Sequence, residues 1–101
     1  MIRDHIIERI RASRDVLQAK GVLHLALFGS RMRGDFTPDS DLDVLVDIDP
    51  TRPKFSLIDL AGICNAIADL TGIETVAIER PMLNRHPEFQ SRIQSDIVEV
   101  F

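Results

Sequence analysis

Two short apolar runs, residues 23–28 and 42–48, stand on either side of a polar stretch rich in arginine, glycine and aspartate. Each run is too brief for a helix and is bounded by glycine or turn-forming residues, so each predicts a β-strand. Alternation in the second run places Asp43, Leu45 and Asp47 on the face opposite four aliphatic side chains. The chain is therefore expected to build a sheet with one apolar and one partly acidic face.

Patterns typical of helices alternate with these strands. Residues 2–19 and 56–72 each have apolar positions at helical spacing, and one helical turn is expected after Ser30. Residues 75–78 predict a third strand and residues 88–98 a closing helix. This order predicts an α/β fold, a small mixed β-sheet covered by helices. The positions that define the three helical stripes are Ile2, Ile6, Ile10, Ser13 and Leu17; Leu57, Leu60, Ala61, Cys64, Ile67 and Ala68; and Phe89, Ile93 and Ile97.

The composition is that of an ordinary globular protein, with 45% hydrophobic and 28% charged residues in a chain of 101. We expect a single domain, residues 1–101, because the proline-containing stretch 49–54 is too short to separate two domains. A net charge of -4 argues against a domain that binds nucleic acid mainly by neutralising phosphates. Nucleic acid is therefore not expected as the main partner.

The cellular location is predicted from the first ten residues and from cysteine usage. Those ten residues alternate charged side chains with isoleucine, which indicates neither a signal peptide nor a membrane span. Cys64 is the only cysteine, as expected of a core-filling thiol in a reducing compartment. We therefore expect a cytoplasmic protein with no membrane partner.

The histidines do not predict a metal site, because His5, His24 and His86 are scattered and fit no metal-ligand spacing.

Gly29 and Ser30 follow the first strand at the point where a helical turn begins, so exposed backbone amides and a small hydroxyl suit a phosphate there. Asp41 and Asp43 are two positions apart at the start of the second strand, so their carboxylates point the same way. A bridging cation relieves their repulsion, and hard oxygen ligands select Mg²⁺ or Mn²⁺. Together these residues predict a site that binds a metal and a nucleoside triphosphate.

Either half of this pattern also has an ordinary structural interpretation. A Gly-Ser pair after a strand is more often a plain turn, and an Asp-x-Asp pair on a strand edge is usually solvated surface. Their occurrence in this order, between two apolar strands, is more specific. Arg31 and Arg33 flank the glycine-serine corner, where each could contact the triphosphate or be a solvated surface arginine.

Residues 27–46 resemble the signature of the polymerase-beta-type nucleotidyltransferase superfamily. The chain as a whole resembles the short prokaryotic branch of that superfamily, the minimal nucleotidyltransferases or MNT proteins. The matching motifs, in chain order, are Gly29-Ser30, Arg33-Gly34-Asp35 and Ser40-Asp41-Leu42-Asp43.

The resemblance implies a polymerase-beta-like fold and the transfer of a nucleoside monophosphate, usually from ATP, to a hydroxyl on a partner. It implies nucleotide binding by Gly29, Ser30, Arg33 and Ser40, with Asp41 and Asp43 as catalytic carboxylates and ligands of Mg²⁺ or Mn²⁺. Many MNT proteins are encoded beside a HEPN ribonuclease toxin and act as its antitoxin, some by adenylylating a tyrosine on it. A HEPN-type toxin is thus the implied partner.

One departure from the family pattern concerns catalysis. Family members usually carry a third carboxylate on the next strand, as metal ligand and base for the attacking hydroxyl. Counting from Gly72 places Val76 at that position. Glu74 shares the strand face of Val76 and could compensate, or could be an ordinary exposed acid, and Glu79 has the opposite parity. Three functions stay open: a working transferase, an antitoxin that only masks its toxin, and a module separated from a larger transferase.

Overall fold

The fold is described for residues 2–101 by a computed structural model. The helices are α1 (Arg3–Ala12), α2 (Arg14–Ala19), α3 (Ser30–Arg33), α4 (Leu57–Thr71) and α5 (Pro87–Ile93), and the strands are β1 (Val22–Phe28), β2 (Leu42–Ile48), β3 (Thr75–Glu79) and β4 (Val98–Glu99). Two 3₁₀ turns, Arg80–Arg85 and Gln94–Asp96, flank α5.

The strands form one mixed sheet in the order β3-β2-β1-β4. β1 is antiparallel to both β2 and β4, whereas β2 and β3 are parallel. A parallel pair needs a long crossover, which α4 supplies between β2 and β3. The predicted α/β fold with a small mixed sheet and covering helices is confirmed.

The two faces of the sheet have separate cores. On one face the alternate residues of β1 and β2 pack with aliphatic side chains of α1, α2 and α4, such as Ile10, Leu17 and Ile63, all fully buried. On the other face Ala26, Phe28 and Leu45 pack against residues from the C-terminal part of the chain. The second face also carries Asp43 and Asp47, as the alternation in β2 predicts.

Helix α4 begins and ends as expected, but the face that it buries is different. The Asp59 carboxylate accepts a hydrogen bond from the backbone N–H of Ser56 at 2.8 Å, and Gly72 ends the helix in the left-handed region, φ 72°. The expectation that Leu57 and Ala61 face the core is wrong, because both are exposed. The fully buried positions are Ile63 and Ile67, which pack on the aliphatic face of the sheet.

Two other helix predictions need correction. Residues 2–19 do not form one helix: Ser13 leaves helical geometry at φ -101° and ψ 16°, and separates α1 from α2. The closing helix predicted for residues 88–98 ends at Ile93, because the chain then extends and pairs with β1 through Val98 and Glu99. Hydrogen bonding to the free edge of β1 replaces the last turn of the predicted helix.

Candidate active site

The glycine-serine corner lies where β1 ends and α3 begins. Gly29 has φ 82°, a conformation that side-chain-bearing residues rarely adopt, and its carbonyl accepts hydrogen bonds at 3.0 Å from the amides of Met32 and Arg33. Ser30 is half-buried as the first residue of α3. This sharp turn directs the chain away from the buried strand, as the sequence predicts.

The side chain of Asp43 lies directly against Gly29. Asp43 is the register partner of Phe28, so the start of β2 lies beside the end of β1. A Cβ atom added to Gly29 would overlap Oδ2 of Asp43 and lie 3.1 Å from its Cγ. The structure therefore brings Gly29 and Asp43 into contact, and only glycine permits so close an approach.

We expect Gly29→Ala to weaken nucleotide binding and to destabilise the fold by about 1–3 kcal/mol. The new methyl group would displace the Asp43 carboxylate, and alanine would also be strained at positive φ. Chemical denaturation measures the loss of stability, and calorimetric titration with Mg-ATP measures binding. Gly34→Ala is the matched control, since Gly34 also has positive φ (97°) but has no atom within 4 Å of an added Cβ. Equal ATP affinity in both variants would contradict the close-approach argument.

Asp41 and Asp43 interact electrostatically although they differ in exposure. Asp43 is half-buried on β2, while Asp41 is exposed one residue before the strand. Burial raises the pKa of the Asp43 carboxyl, the neighbouring charge of Asp41 raises it further, and Arg33 opposes both effects. A site that disfavours its own negative charge is suited to a cation.

The donor set fits a hard divalent cation that is shared with phosphates. Within residues 2–101 no group of three or more histidine, cysteine or acidic side chains could hold a metal ion. Mg²⁺ is commonly bound by one or two carboxylates together with substrate phosphates and water, rather than by an all-protein cage. Asp43 beside Gly29, with Asp41 two residues before it in the chain, matches that arrangement.

Val76 occupies the position next to Asp43 on the parallel strand β3. The two residues are register partners, and the valine side chain is 45% exposed. Glu74 precedes β3, and its carbonyl accepts a hydrogen bond at 2.8 Å from the amide of Leu42. With Asp41 it lines a cleft of about 210 Å³, yet it does not complete a three-ligand group within the described residues. The place beside Asp43 is thus apolar.

Arg31 has a role that the sequence did not indicate. The residue is only 6% exposed, and its guanidinium donates hydrogen bonds to the Ser40 carbonyl at 2.9 and 3.1 Å. Its Cζ also lies 4.7 Å from the centre of the Phe36 ring. Arg31 is therefore not a solvated arginine, and its donors hold the loop that leads to Asp41. In the sequence only Arg33 belongs to a matching motif, Arg33-Gly34-Asp35, and nothing there indicates that Arg31 is buried.

Ser40 is placed in the turn that leads into β2. Its hydroxyl accepts a hydrogen bond at 2.9 Å from the amide of Thr37, while its own amide donates to the Thr37 carbonyl at 3.0 Å. These contacts and those of Arg31 fix the backbone directly before Asp41.

Arg33 contacts two acidic side chains at the edge of the site. Its Nη1 donates to Asp96 at 2.9 Å and its Nε to Asp35 at 3.2 Å, which raises the pKa of Arg33. The sequence did not single out Asp96, because the predicted helix over residues 88–98 gave it no reason to approach Arg33. Only the tertiary fold places Asp96 at the site.

Residues 9–100 match the family model of the nucleotidyltransferase domain. The chain belongs to the nucleotidyltransferase family.

Two relatives of this nucleotidyltransferase come from Methanocaldococcus jannaschii, and both bear the provisional name protein adenylyltransferase. One is 29% identical over 97 residues and the other 30% identical over 94 residues, covering 94% and 92% of both chains in each pair. A solved structure provisionally described as a minimal nucleotidyltransferase has a TM-score of 0.64 and 27% identity over 91% of this chain and 93% of its own. The resemblance to minimal nucleotidyltransferases is confirmed.

A further solved structure, provisionally described as a nucleotidyltransferase from Sulfolobus solfataricus, has a TM-score of 0.51 and 15% identity. It covers 93% of this chain and 78% of its own, and it supports the fold alone. Among residues 2–101 of this nucleotidyltransferase, no helix is long and apolar enough to cross a membrane. Family membership makes a nucleoside triphosphate the expected substrate.

Proposed function

We propose that this nucleotidyltransferase transfers AMP from ATP to a hydroxyl on a partner protein in a reaction that requires Mg²⁺. The observation that carries the proposal is the contact of the Asp43 carboxylate with Gly29, because it places one acid of the predicted metal site at the corner predicted to bind phosphate. The provisional names of the two relatives support ATP as donor and a protein as acceptor.

Each predicted site residue has a role in this proposal. Gly29 and Ser30 contact the phosphates at the start of α3, and Arg33 adds a positive charge from the other end of that helix turn. Asp41 and Asp43 are the catalytic carboxylates and hold the cation, which when bound would neutralise charge on the phosphates. Ser40 supports nucleotide binding by fixing the backbone before Asp41.

The transfer is a substitution at the α-phosphorus. The acceptor oxygen forms a bond to that phosphorus while the bond to the bridging oxygen breaks, which releases pyrophosphate. The hydroxyl proton must pass to a base. Since Val76 stands beside Asp43, the chain supplies no acid at the place where the family usually has one.

The proposed acceptor is a HEPN-type toxin, for which this protein would be the antitoxin in the cytoplasm. The resemblance to minimal nucleotidyltransferases supports this partner, and the relatives' names support a protein substrate. A second candidate function is inhibition of the same toxin by masking, without transfer. The valine at position 76 favours it, because a chain that has lost its base could still bind.

Calorimetric titration with ATP tests the nucleotide site first. We expect saturable binding with a dissociation constant of about 1 μM to 1 mM in the presence of Mg²⁺, and none in EDTA or in the Asp41→Asn plus Asp43→Asn double variant. Asp69→Asn, an exposed acid on α4, is the control and should bind as the wild type does. Unchanged binding by the double variant would refute the assigned roles.

Labelled ATP and the toxin then separate the two functions. Transfer predicts label on the toxin that depends on Asp43. Masking predicts that Asp43→Ala suppresses the toxin as well as the wild type while the complex persists.

A further inference from the structure

The segment after helix α5 turns back toward the candidate active site and pairs with strand β1. Helix α5 ends at Ile93, the 3₁₀ turn Gln94–Asp96 follows, and Val98 then pairs with Leu27 of β1. Ile93 is buried in the same core cluster as Phe28, so both sides of the turn are anchored to β1. The backbone around Asp96 is therefore fixed relative to the end of β1.

The ion pair between Asp96 and Arg33 joins residues 63 positions apart in the chain. The Asp96 side chain is 10% exposed, whereas that of Arg33 is 45% exposed. Asp96 is thus the more buried partner and Arg33 the more exposed one. The second partner of Arg33, Asp35, is 64% exposed and lies on the loop after α3.

The free part of the guanidinium is available to a ligand. Nη1 is engaged by Asp96 and Nε by Asp35, while within residues 2–101 Nη2 has no hydrogen-bonding partner. The Arg33 amide donates a hydrogen bond to the Gly29 carbonyl at 3.0 Å, and the Asp43 carboxylate lies directly against Gly29, so Arg33 is anchored to the same corner as Asp43. An unrestrained arginine has many rotamers, and losing them on binding weakens affinity.

We propose that Asp96 is a positioning residue that holds Arg33 beside the Asp41 and Asp43 pair, with Nη2 directed to the phosphates of the bound nucleotide. This inference rests on the proposed function, because it requires a triphosphate at Gly29. Asp96 contacts neither nucleotide nor acceptor. It acts through Arg33 and reduces the ordering that the guanidinium undergoes when the nucleotide binds.

A double-mutant cycle on nucleotide affinity tests this role. Calorimetric titration with Mg-ATP is carried out on the wild type, Asp96→Asn, Arg33→Ala and the double variant. We expect the dissociation constant to rise about tenfold for Arg33→Ala and about threefold for Asp96→Asn. The double variant should match Arg33→Ala, because Asp96 has nothing to position once the guanidinium is gone. Magnesium tripolyphosphate should give the same ratios, since the contact is to phosphate.

Two further variants and a melting curve distinguish the positioning of Arg33 from a purely structural role, in which the ion pair only stabilises the C-terminal segment. Asp96→Glu should restore most of the affinity, and Asp35→Asn, which removes the exposed partner, should stay within about twofold of wild type. The proposal is overturned if Asp96→Asn lowers only the melting temperature, or weakens binding equally when Arg33 is already alanine. Failure of the proposed function is a different result, in which the wild type itself takes up no Mg-ATP, and the positioning role then falls with it.

Discussion

Asp43→Asn is expected to reduce nucleotidyl transfer by at least about 100-fold while making the fold more stable at neutral pH. Asparagine keeps the shape of the side chain beside Gly29 but lacks the charge that a divalent cation and the phosphates require. Transfer from labelled ATP to the acceptor measures the first effect. Asp69→Asn on the exposed face of α4 removes one negative charge elsewhere and should leave transfer unchanged.

The gain in stability follows from the pKa of Asp43, which is raised by burial and then by the charge of Asp41. Because folding raises this pKa above its ordinary value of 3.8, the ionised carboxylate opposes folding. The wild type therefore gains stability as the pH falls through the raised folded-state pKa. Asparagine is never ionised, so the stability of Asp43→Asn relative to the wild type is greatest at neutral pH and smallest below pH 3.8.

Thermal unfolding of both proteins in metal-free buffer, from about pH 7 down to about pH 3.5, measures this difference. The melting temperature of Asp43→Asn should exceed that of the wild type at the upper end, and the two should converge at the lower end. A lower melting temperature for the variant at neutral pH would mean that the carboxylate stabilises the apo fold. Added Mg-ATP should reverse the order by stabilising only the wild type.

The parts of the fold that the sequence predicted correctly depend on local patterns. The strands β1 and β2 follow from short apolar runs, and the acidic face of β2 follows from strict alternation, which tertiary contacts did not change. Gly29 was predictable as the end of a strand. Its contact with Asp43 was not, because that contact depends on the register between two strands separated by a loop.

The errors occur where long-range contacts decide between local alternatives. Phe89, Ile93 and Ile97 are spaced by four, and all three do pack on the second face of the sheet. Ile97, however, has an extended backbone, with φ -67° and ψ 126°. The spacing therefore predicted which side chains are buried, but the helix that it predicted for this segment is wrong. The edge of β1 is what draws this segment away from helical geometry, and Asp96 meets Arg33 as a result.

Arg31 and Arg33 show why site residues are harder to predict than strands. Both follow the glycine-serine pair, and although Arg33 begins the Arg33-Gly34-Asp35 motif, nothing in the sequence indicates that Arg31 is the buried one. In α3 they point in different directions, so Arg31 is buried against the carbonyls of the next loop, whereas Arg33 is more exposed and pairs with Asp35 and Asp96. The division of roles depends on where the loop before β2 folds back, which is a tertiary property.

Val76→Asp is expected to raise the rate of nucleotidyl transfer by about 100-fold. Neighbouring strands lie about 4.8 Å apart, and register partners on one face have adjacent side chains. Val76 is the partner of Asp43 and is 45% exposed, so an aspartate there would stay solvated and could accept the proton of the attacking hydroxyl. Initial rates with labelled ATP and the acceptor, at saturating Mg²⁺, measure the gain.

The same substitution should lower the melting temperature without metal, because a third like charge would be added next to Asp43, whose pKa is already raised. Val76→Asn separates charge from shape and should give no gain in rate.

Glu74→Gln decides whether the wild-type chain already has a base. If this variant abolishes transfer, Glu74 performs that role. Val76→Asp would then add little, because the base would already be present at position 74 instead of position 76. If Glu74→Gln leaves the rate of transfer unchanged and Val76→Asp strongly raises it, the wild-type chain has the nucleotide site of a transferase but lacks its base. Masking of the toxin is then the main function, because binding does not require the base.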